Sequence, residues 1–485
     1  MGLMDYLYKF ADEIGLVTLV SSSRDVHLLC AQRFVRMFAY GQVTIILAVF
    51  FTSLDMGESK TGLFMTCTLL GDVVISFVLT LVADRVGRRT ILALGSLLMC
   101  ASGVVFSYSS TFWVLLVAAI VGVISPNGNE IGPFRAVEES TLAHLIALEV
   151  RADIYAWYAL LGSLGSAFGA ISSGWIVQYA QDKYNWTAIS SYRFIFVIYS
   201  VIALMKFAFS VMLSPECELQ PVPQKLEPTV ERDVDDENAE SYPMSRLRSS
   251  TDQDEELTGI ERDEARDIFE EMDQLSSKKV RPFLLRWIDY FPHLSKQSLK
   301  VVAQLIVWFA LDSFGSGLAT QTWVAYYFIS RFDTKEGVLG SLFFTTNIVA
   351  AASSLVAAAI SKRLGPILTM VGTHLPSSII LMILGFPSSS TAAMILLVVR
   401  YCTATMDGAP RQAFLSAIVS SEERTSVMGV VNVVKTLASS AGPSLMGKFA
   451  SIHKMPIGFL VAGLCKVIYD LGILASFLGV QLHNK

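Results

Sequence analysis

Apolar residues fall along this chain in long blocks set apart by short polar turns, without the spacing of an amphipathic helix or the alternation of a half-buried strand. The first six blocks cover 34–54, 62–83, 90–108, 112–131, 154–179 and 194–213. After a polar interval come 299–327, 338–360, 367–386, 392–419, 426–449 and 457–478. Crossing the hydrocarbon of a bilayer takes roughly 20 residues of helix, and each block supplies such a length. Lipid offers no partner for backbone N–H and C=O groups, whereas a helix satisfies them within itself. The pattern predicts an all-α membrane protein of twelve transmembrane helices. Its divisions are an N-terminal segment (1–27), a six-helix bundle (28–215), a linker (216–298), a second six-helix bundle (299–480) and a short tail (481–485).

Basic residues orient these helices. With the N-terminus inside, the inner side collects Arg24, Arg33, Arg36, Arg85, Arg88, Arg89, Arg151, Lys362, Arg363 and Arg424. The outer loops hold only Lys60, Lys183, Arg193, Arg331, Lys335 and Lys454. Such a bias places both termini and the linker in the cytosol. Asn185-Trp186-Thr187 then falls in the outer loop between the fifth and sixth helices, as an acceptor sequon open to glycosylation.

Composition agrees with burial in lipid. Hydrophobic residues make up 53% of the chain and charged residues 16%, with a mean hydropathy of +0.52, against about 25% charged residues in a soluble protein. The net charge of −5 arises mainly in the linker and forms no basic stripe, so nucleic acid is not an expected partner. Six scattered cysteines make no CxxC, zinc spacing or disulfide framework, and neither a metal nor a cofactor is expected. The first 27 residues include Asp5, Asp12 and Glu13 and lack the apolar core of a cleavable signal. A plasma membrane or an organelle membrane such as that of the vacuole is the expected home, and a monomer the expected working unit.

The linker carries acidic runs around Asp233–Glu237 and Asp252–Glu256, too polar to bury a core, and is expected to be disordered. Ser249 and Ser250, just after Arg246 and Arg248, are open to phosphorylation. Residues 259–274 suit a surface helix, and the basic, aromatic stretch 278–294 suits the face of a membrane.

The two halves repeat one another. An offset of 273 positions relates Arg151 to Arg424, Gly169 to Gly442 and Gly174 to Gly447. A near-equal offset of 278 aligns Ala83-Asp84-Arg85-Val86-Gly87 with Ser361-Lys362-Arg363-Leu364-Gly365, which keeps the turn and loses the acid. Small residues at matched helix positions suit close packing, and the set Gly169, Gly174, Gly442, Pro443 and Gly447 is the expected packing seam.

Taken together, the sequence resembles the major facilitator superfamily from about Arg33 to Leu478. That family's turn between helices two and three reads Gly-x-Leu-Ala-Asp-Arg-x-Gly-Arg-Arg/Lys, and this chain has Thr80-Leu-Val-Ala-Asp84-Arg85-Val-Gly87-Arg88-Arg89, with Thr80 in place of the leading glycine. The resemblance implies two six-helix bundles related by a pseudo-two-fold axis along the membrane normal. It also implies a gate at Asp84, Arg85, Gly87, Arg88 and Arg89, with Asp84 against the start of helix eleven and Arg88 paired to Glu138, Glu139, Glu149 or Asp153. Two departures narrow the branch. The arginine usual early in helix four is missing, while Arg400 stands at the matching place in helix ten, and Ala170 replaces the proline of the antiporter signature.

Helices one, four, seven and ten line the cavity in that superfamily. Helix four is broken by Pro126, Gly128, Gly132 and Pro133, with Asn127, Asn129, Glu130 and Arg135 among them. Irregular backbone at membrane depth is tolerated where it lines a cavity, so these four polar residues are candidates for contact with substrate or proton. Helix ten offers Asp407 and Arg411 around Pro410, besides Arg400. Asp312 in helix seven and Asp72 in helix two complete the set, since acids inside a membrane are costly and tend to be functional. Lys206, Lys466 and Asp470 lie on supporting helices and suit structural pairs.

These features point to a secondary active transporter of a small organic solute, working by alternating access and coupled to protons, as symporter or antiporter. A transporter-like nutrient sensor and a facilitative uniporter without proton coupling are the alternatives. No HExxH, GxSxG or phosphate loop supports an enzyme.

Overall fold

The computed structural model describes residues 12, 15–124, 133–147, 149–218, 296–418 and 424–477. Among them are sixteen α-helices, one 3-10 turn and no strand. In the first half these are α1 (Leu16–Ser21), α2 (Arg24–Ser53), α3 (Glu58–Val86), α4 (Arg88–Tyr108), α5 (Phe112–Val121), α6 (Pro133–Leu145), α7 (Arg151–Tyr184) and α8 (Ala188–Val211), followed by the 3-10 turn Pro215–Cys217. The second half has α9 (Lys296–Leu318), α10 (Gln321–Phe332), α11 (Glu336–Leu364), α12 (Pro366–Ile383), α13 (Ser390–Tyr401), α14 (Gly408–Ile418), α15 (Arg424–Ser451) and α16 (Met455–Phe477).

Three of the twelve apolar blocks are interrupted. The fourth stops at Gly122, where Val123 takes a positive φ of 52°. The seventh breaks before Thr320, whose hydroxyl accepts from the Trp323 N–H at 3.3 Å and caps α10. The tenth turns through 402–407 before α14, whose first turn holds Pro410, a place where a missing N–H costs little. Among the described residues eight stretches are long and apolar enough to cross a membrane, the broken seventh block (Val301–Phe332) one of them. Large apolar side chains such as Val74, Val78, Leu97, Trp113, Val117 and Ile395 stand exposed around the outside, as hydrocarbon surroundings permit.

Repeat positions have repeat geometry. Gly87 and Gly365 end α3 and α11 with φ of 99° and 82°, a backbone that glycine adopts without strain. The first turn is held by Glu218, whose carboxylate accepts from the N–H groups of Arg88 at 2.6 Å and Arg89 at 3.1 Å and so caps α4. Glu218 follows the 3-10 turn, so the start of the expected linker, 216–218, is part of the fold. The remaining linker features, at 233–237, 246–256, 259–274 and 278–294, lie outside the described residues.

The small-residue seam divides by function. Gly169 packs on the Phe38 carbonyl of α2, and Gly442 packs on Gly317 of α9, each within its own half. Gly174 meets Glu336 and Gly340 of α11, and Gly447 meets Glu58 and Gly62 of α3, each across the halves. Gly62 and Gly340 are themselves 278 positions apart. The two crossings are therefore the same contact made twice, as a pseudo-two-fold axis requires.

These crossings seal the end of the molecule that carries Asn185. There Tyr326 donates to Glu58 at 2.7 Å, Tyr192 to Glu336 at 2.8 Å, and Lys335 pairs with Asp182 at 3.1 Å. Ser444 and Thr66 add a bond of 2.8 Å along the α15–α3 crossing. The hydrogen bonds described between the halves all lie at this end. The core follows suit. One apolar cluster, with Phe50, Phe64 and Phe196 on one side and Trp323, Phe328 and Phe459 on the other, runs through both halves. Toward the Gly87 end it gives way to two separate clusters, one around Leu92 and Leu142 and one around Phe309 and Phe414.

A side chain at Gly447 has nowhere to go, since a Cβ would stand 2.6 Å from the Glu58 carbonyl. Gly447→Leu is expected to wedge α15 from α3 and to destabilise the sealed state by about 1–3 kcal/mol, the usual cost of overpacking. Spin labels on the exposed Lys183 and Lys454 should report a shift to longer distances. An unchanged distribution would show that this crossing does not hold the end closed.

Candidate functional site

A cavity of about 570 Å³ lies between the halves. Arg33 and Met37 of α2, Arg135 of α6 and Ser163 and Ser166 of α7 line it from one side. From the other come Gln321, Asn347, His374, Arg400 and Lys466. The break in the seventh block adds Thr320 and Gln321 to its wall, and the break in the tenth adds Thr405 beside Arg400.

Behind the wall of the second half sits a buried ionic cluster. Asp312 on α9 receives Lys466 at 2.6 Å and Arg411 at 3.2 Å, and the His374 Nε2 stands 3.8 Å away. Arg411 also pairs with Asp407 one turn before it in the chain. Nδ1 of His374 meets Asp470 at 2.8 Å, and Ser378 donates to the same carboxylate at 3.2 Å. His374 thus bridges two carboxylates, Asp470 and Asp312. Arg411 lies between the rings of Phe309 (5.4 Å) and Tyr469 (5.6 Å), and Lys435 of α15 lies over Phe309 at 5.6 Å. Three acids thus face three basic side chains and one histidine, a pairing of opposite charges that a low-dielectric interior demands.

The first half has its own cluster, built differently. The guanidinium of Arg36 forks onto Glu138, with Nη2 to Oε2 at 2.7 Å, and Tyr158 donates to the same carboxylate at 2.6 Å. Both ion-pair partners are fully buried. Lys206 lies over the Phe134 ring at 4.5 Å and donates to Ser96 at 3.2 Å. Arg33, which reaches the cavity, lies over the Tyr158 ring at 4.9 Å.

The residues singled out from the sequence are distributed as follows. Asp312, Asp407 and Arg411 belong to one cluster, and Arg400 and Arg135 line the cavity, the latter paired to Glu139 at 2.7 Å. Asp72 is buried in α3 away from the cavity wall, with no hydrogen-bond partner for Oδ1 among the described residues. Asn127, Asn129 and Glu130 lie outside the described residues, as do the side chains of Asp84 and Arg85. Glu138 is held by Arg36 and Glu139 by Arg135, and the described side-chain contact of Arg88 is the Ser140 carbonyl at 3.3 Å. Arg89 reaches the Val211 carbonyl at 3.5 Å. Asn185 is exposed and ends α7 in the left-handed region.

Sequence reasoning did not single out His374, and it assigned Lys466 and Asp470 to structural support. Lys466 and Asp470 are indeed each paired, with Asp312 and His374, and Lys466 also lines the cavity.

Comparison with known proteins fits this architecture. The sequence model of the Major Facilitator Superfamily matches residues 29–443 and 305–480. An uncharacterized membrane protein of Saccharomyces cerevisiae is 35% identical over 466 residues, 96% of each chain. Among solved structures, a bacterial homologue of the human lysosomal transporter Spinster, inward-facing and occupied, aligns with a TM-score of 0.65 at 12% identity over 94% of this chain and 96% of its own. A D-xylose–proton symporter aligns at 0.61 with 13% identity over 92% and 96%. A variant of the nucleoside transporter NupG aligns at 0.63 with 13% identity over 94% and 100%.

Proposed function

The chain belongs to the major facilitator superfamily, a family of membrane transporters, and on that premise we propose that it moves a small organic solute across its membrane by alternating access, coupled to protons. The observation that carries the proposal is a single juxtaposition. His374 and Lys466 line the cavity between the halves, and both touch Asp312 in the buried cluster behind it. A solute in the cavity and a proton in the cluster would then bias one another, which is the coupling free energy that symport or antiport requires.

The bias of basic residues supports a cytosolic Gly87 end and an outer Asn185 end. In that orientation the sealed crossings α3–α15 and α7–α11 form the outer gate, and the molecule faces inward. The outer position leaves Asn185 open to glycosylation, and the turn from Asp84 to Arg89 is the inner gate that closes in the opposite state. Plasma membrane and organelle membrane both suit such a carrier.

Proteoliposomes loaded with a pH-reporting dye test the proposal. Sugars, nucleosides, organic anions and organic cations are added one class at a time, with and without an imposed pH gradient. At least one class should enter together with a change in luminal pH, and the gradient should change its rate. Entry indifferent to the gradient would remove the coupling, and no entry of any class would remove the transport.

A further inference from the structure

The central cavity carries positive charge that its described walls do not balance. Arg33, Arg135, Arg400 and Lys466 line it beside the imidazole of His374, and no described aspartate or glutamate does. Three of the five are matched from behind the wall, Arg135 by Glu139, Lys466 by Asp312 and His374 by Asp470. Arg33 lies over the Tyr158 ring. Arg400 is different. Its described contact is the ring of Tyr401 at 5.3 Å, and its Nε is shut off from solvent without a hydrogen-bond acceptor. Across the cavity wall on α11, the Nδ2 of Asn347 is a second lining donor that is buried and lacks an acceptor. Two unsatisfied donors, one of them a permanent cation, thus belong to one cavity between the halves.

We propose that the cavity takes a small organic anion, whose carboxylate or phosphate accepts hydrogen bonds from Arg400 and Asn347. The proposal deepens the transport reading of the same cavity and rests on it. A guanidinium presents a planar fork that matches either group in a bidentate way. A neutral sugar would leave the Arg400 charge without a counter-ion. A cationic solute would meet like charge from both halves. The volume is within the range of about 300–1,000 Å³ that small-molecule sites occupy.

Thermal unfolding of the purified full chain in detergent, at constant ionic strength, tests the assignment. Citrate, glutarate and glucose 6-phosphate are the anionic probes, separating carboxylate from phosphate, and glucose, uridine and choline are the uncharged and cationic ones. At least one anion should raise Tm in a saturable way while glucose, uridine and choline leave it unchanged. In Arg400→Gln that anion should bind about 10- to 100-fold more weakly, as loss of a charge-assisted pair implies, and Arg400→Lys should fall between. Asn347→Asp, which adds a negative charge to the same wall, should weaken it too and serves where the Arg400 variant does not fold. The proposal is overturned if no anion stabilises the chain, if only the uncharged or cationic probes do, or if both Arg400→Gln and Asn347→Asp bind the anion as the natural chain does. Vesicle uptake separates the two readings. An anion that binds with this profile but never enters vesicles refutes transport and leaves the anion site standing, whereas glucose or uridine uptake unaffected by Arg400→Gln supports transport and removes the anion.

Discussion

In Asp312→Asn vesicles, solute accumulation driven by a pH gradient is expected to vanish while solute entry down its own gradient persists. A one-unit gradient carries about 1.36 kcal/mol per proton, enough for a roughly tenfold accumulation at one proton per solute; the variant should settle near onefold. The reason is local. Asp312 accepts Lys466 at 2.6 Å and Arg411 at 3.2 Å and faces His374 at 3.8 Å, so among the described residues it is the carboxylate that meets both cavity-lining bases of the cluster. The groups that set its environment come from four other helices and one turn: His374 on α12, Arg411 on α14 with Asp407 in the turn just before it, Lys435 on α15, and Lys466 and Asp470 on α16. Removing its charge breaks the link between cavity and cluster without altering the cavity wall, because Asp312 does not line it. His374→Gln should mimic the loss of coupling, since it cuts the bridge between Asp312 and Asp470. Tenfold accumulation retained in Asp312→Asn would place the coupling group elsewhere, with Asp72 the next to examine.

The largest effect on stability is expected from Glu138→Gln. The substitution keeps the shape of the side chain but removes the charge that Arg36 forks onto, leaving a fully buried guanidinium without its counter-ion. Breaking one partner of such a pair costs about 3–5 kcal/mol, and the melting temperature of the purified protein should fall accordingly. Tyr158 loses its charged acceptor at the same time. The comparison that isolates the cause is the double variant Arg36→Met with Glu138→Met, which removes both charges and fills the space. Its stability should lie close to that of the natural chain, because a buried pair roughly offsets its own desolvation. If Glu138→Gln melts as the natural chain does, the pair is not what joins α2, α6 and α7 at this depth.

Much of the fold was legible in the sequence because lipid imposes a simple rule. A span must satisfy its own backbone, so it must be helical and apolar over a fixed length, and blocks of such length show without tertiary information. The breaks in helices four and ten were legible for a related reason, since proline is favoured in the first turn of a helix, where Pro133 and Pro410 stand at the restarts of α6 and α14. The break in helix seven was not read, because its one local sign is Thr320 capping α10 through the Trp323 backbone N–H, and a lone threonine inside a long apolar run gives little signal. The repeat offset was legible as well, but its meaning was not. Gly169 and Gly174 look alike in sequence, yet one packs within its half and the other across the halves.

By itself, then, the sequence determined which segments lie in hydrocarbon, how many there are, and that the chain is built from one unit used twice. It did so because hydrophobic burial and backbone satisfaction are local demands on each segment. Only the tertiary structure decided which ionisable residues meet. Asp312, His374, Lys466 and Asp470 come from three helices whose sequence order gives no hint of their proximity, and Arg36 finds Glu138 across 102 positions. Charges in a low-dielectric interior are stable only in company, and the company is chosen by how the helices pack.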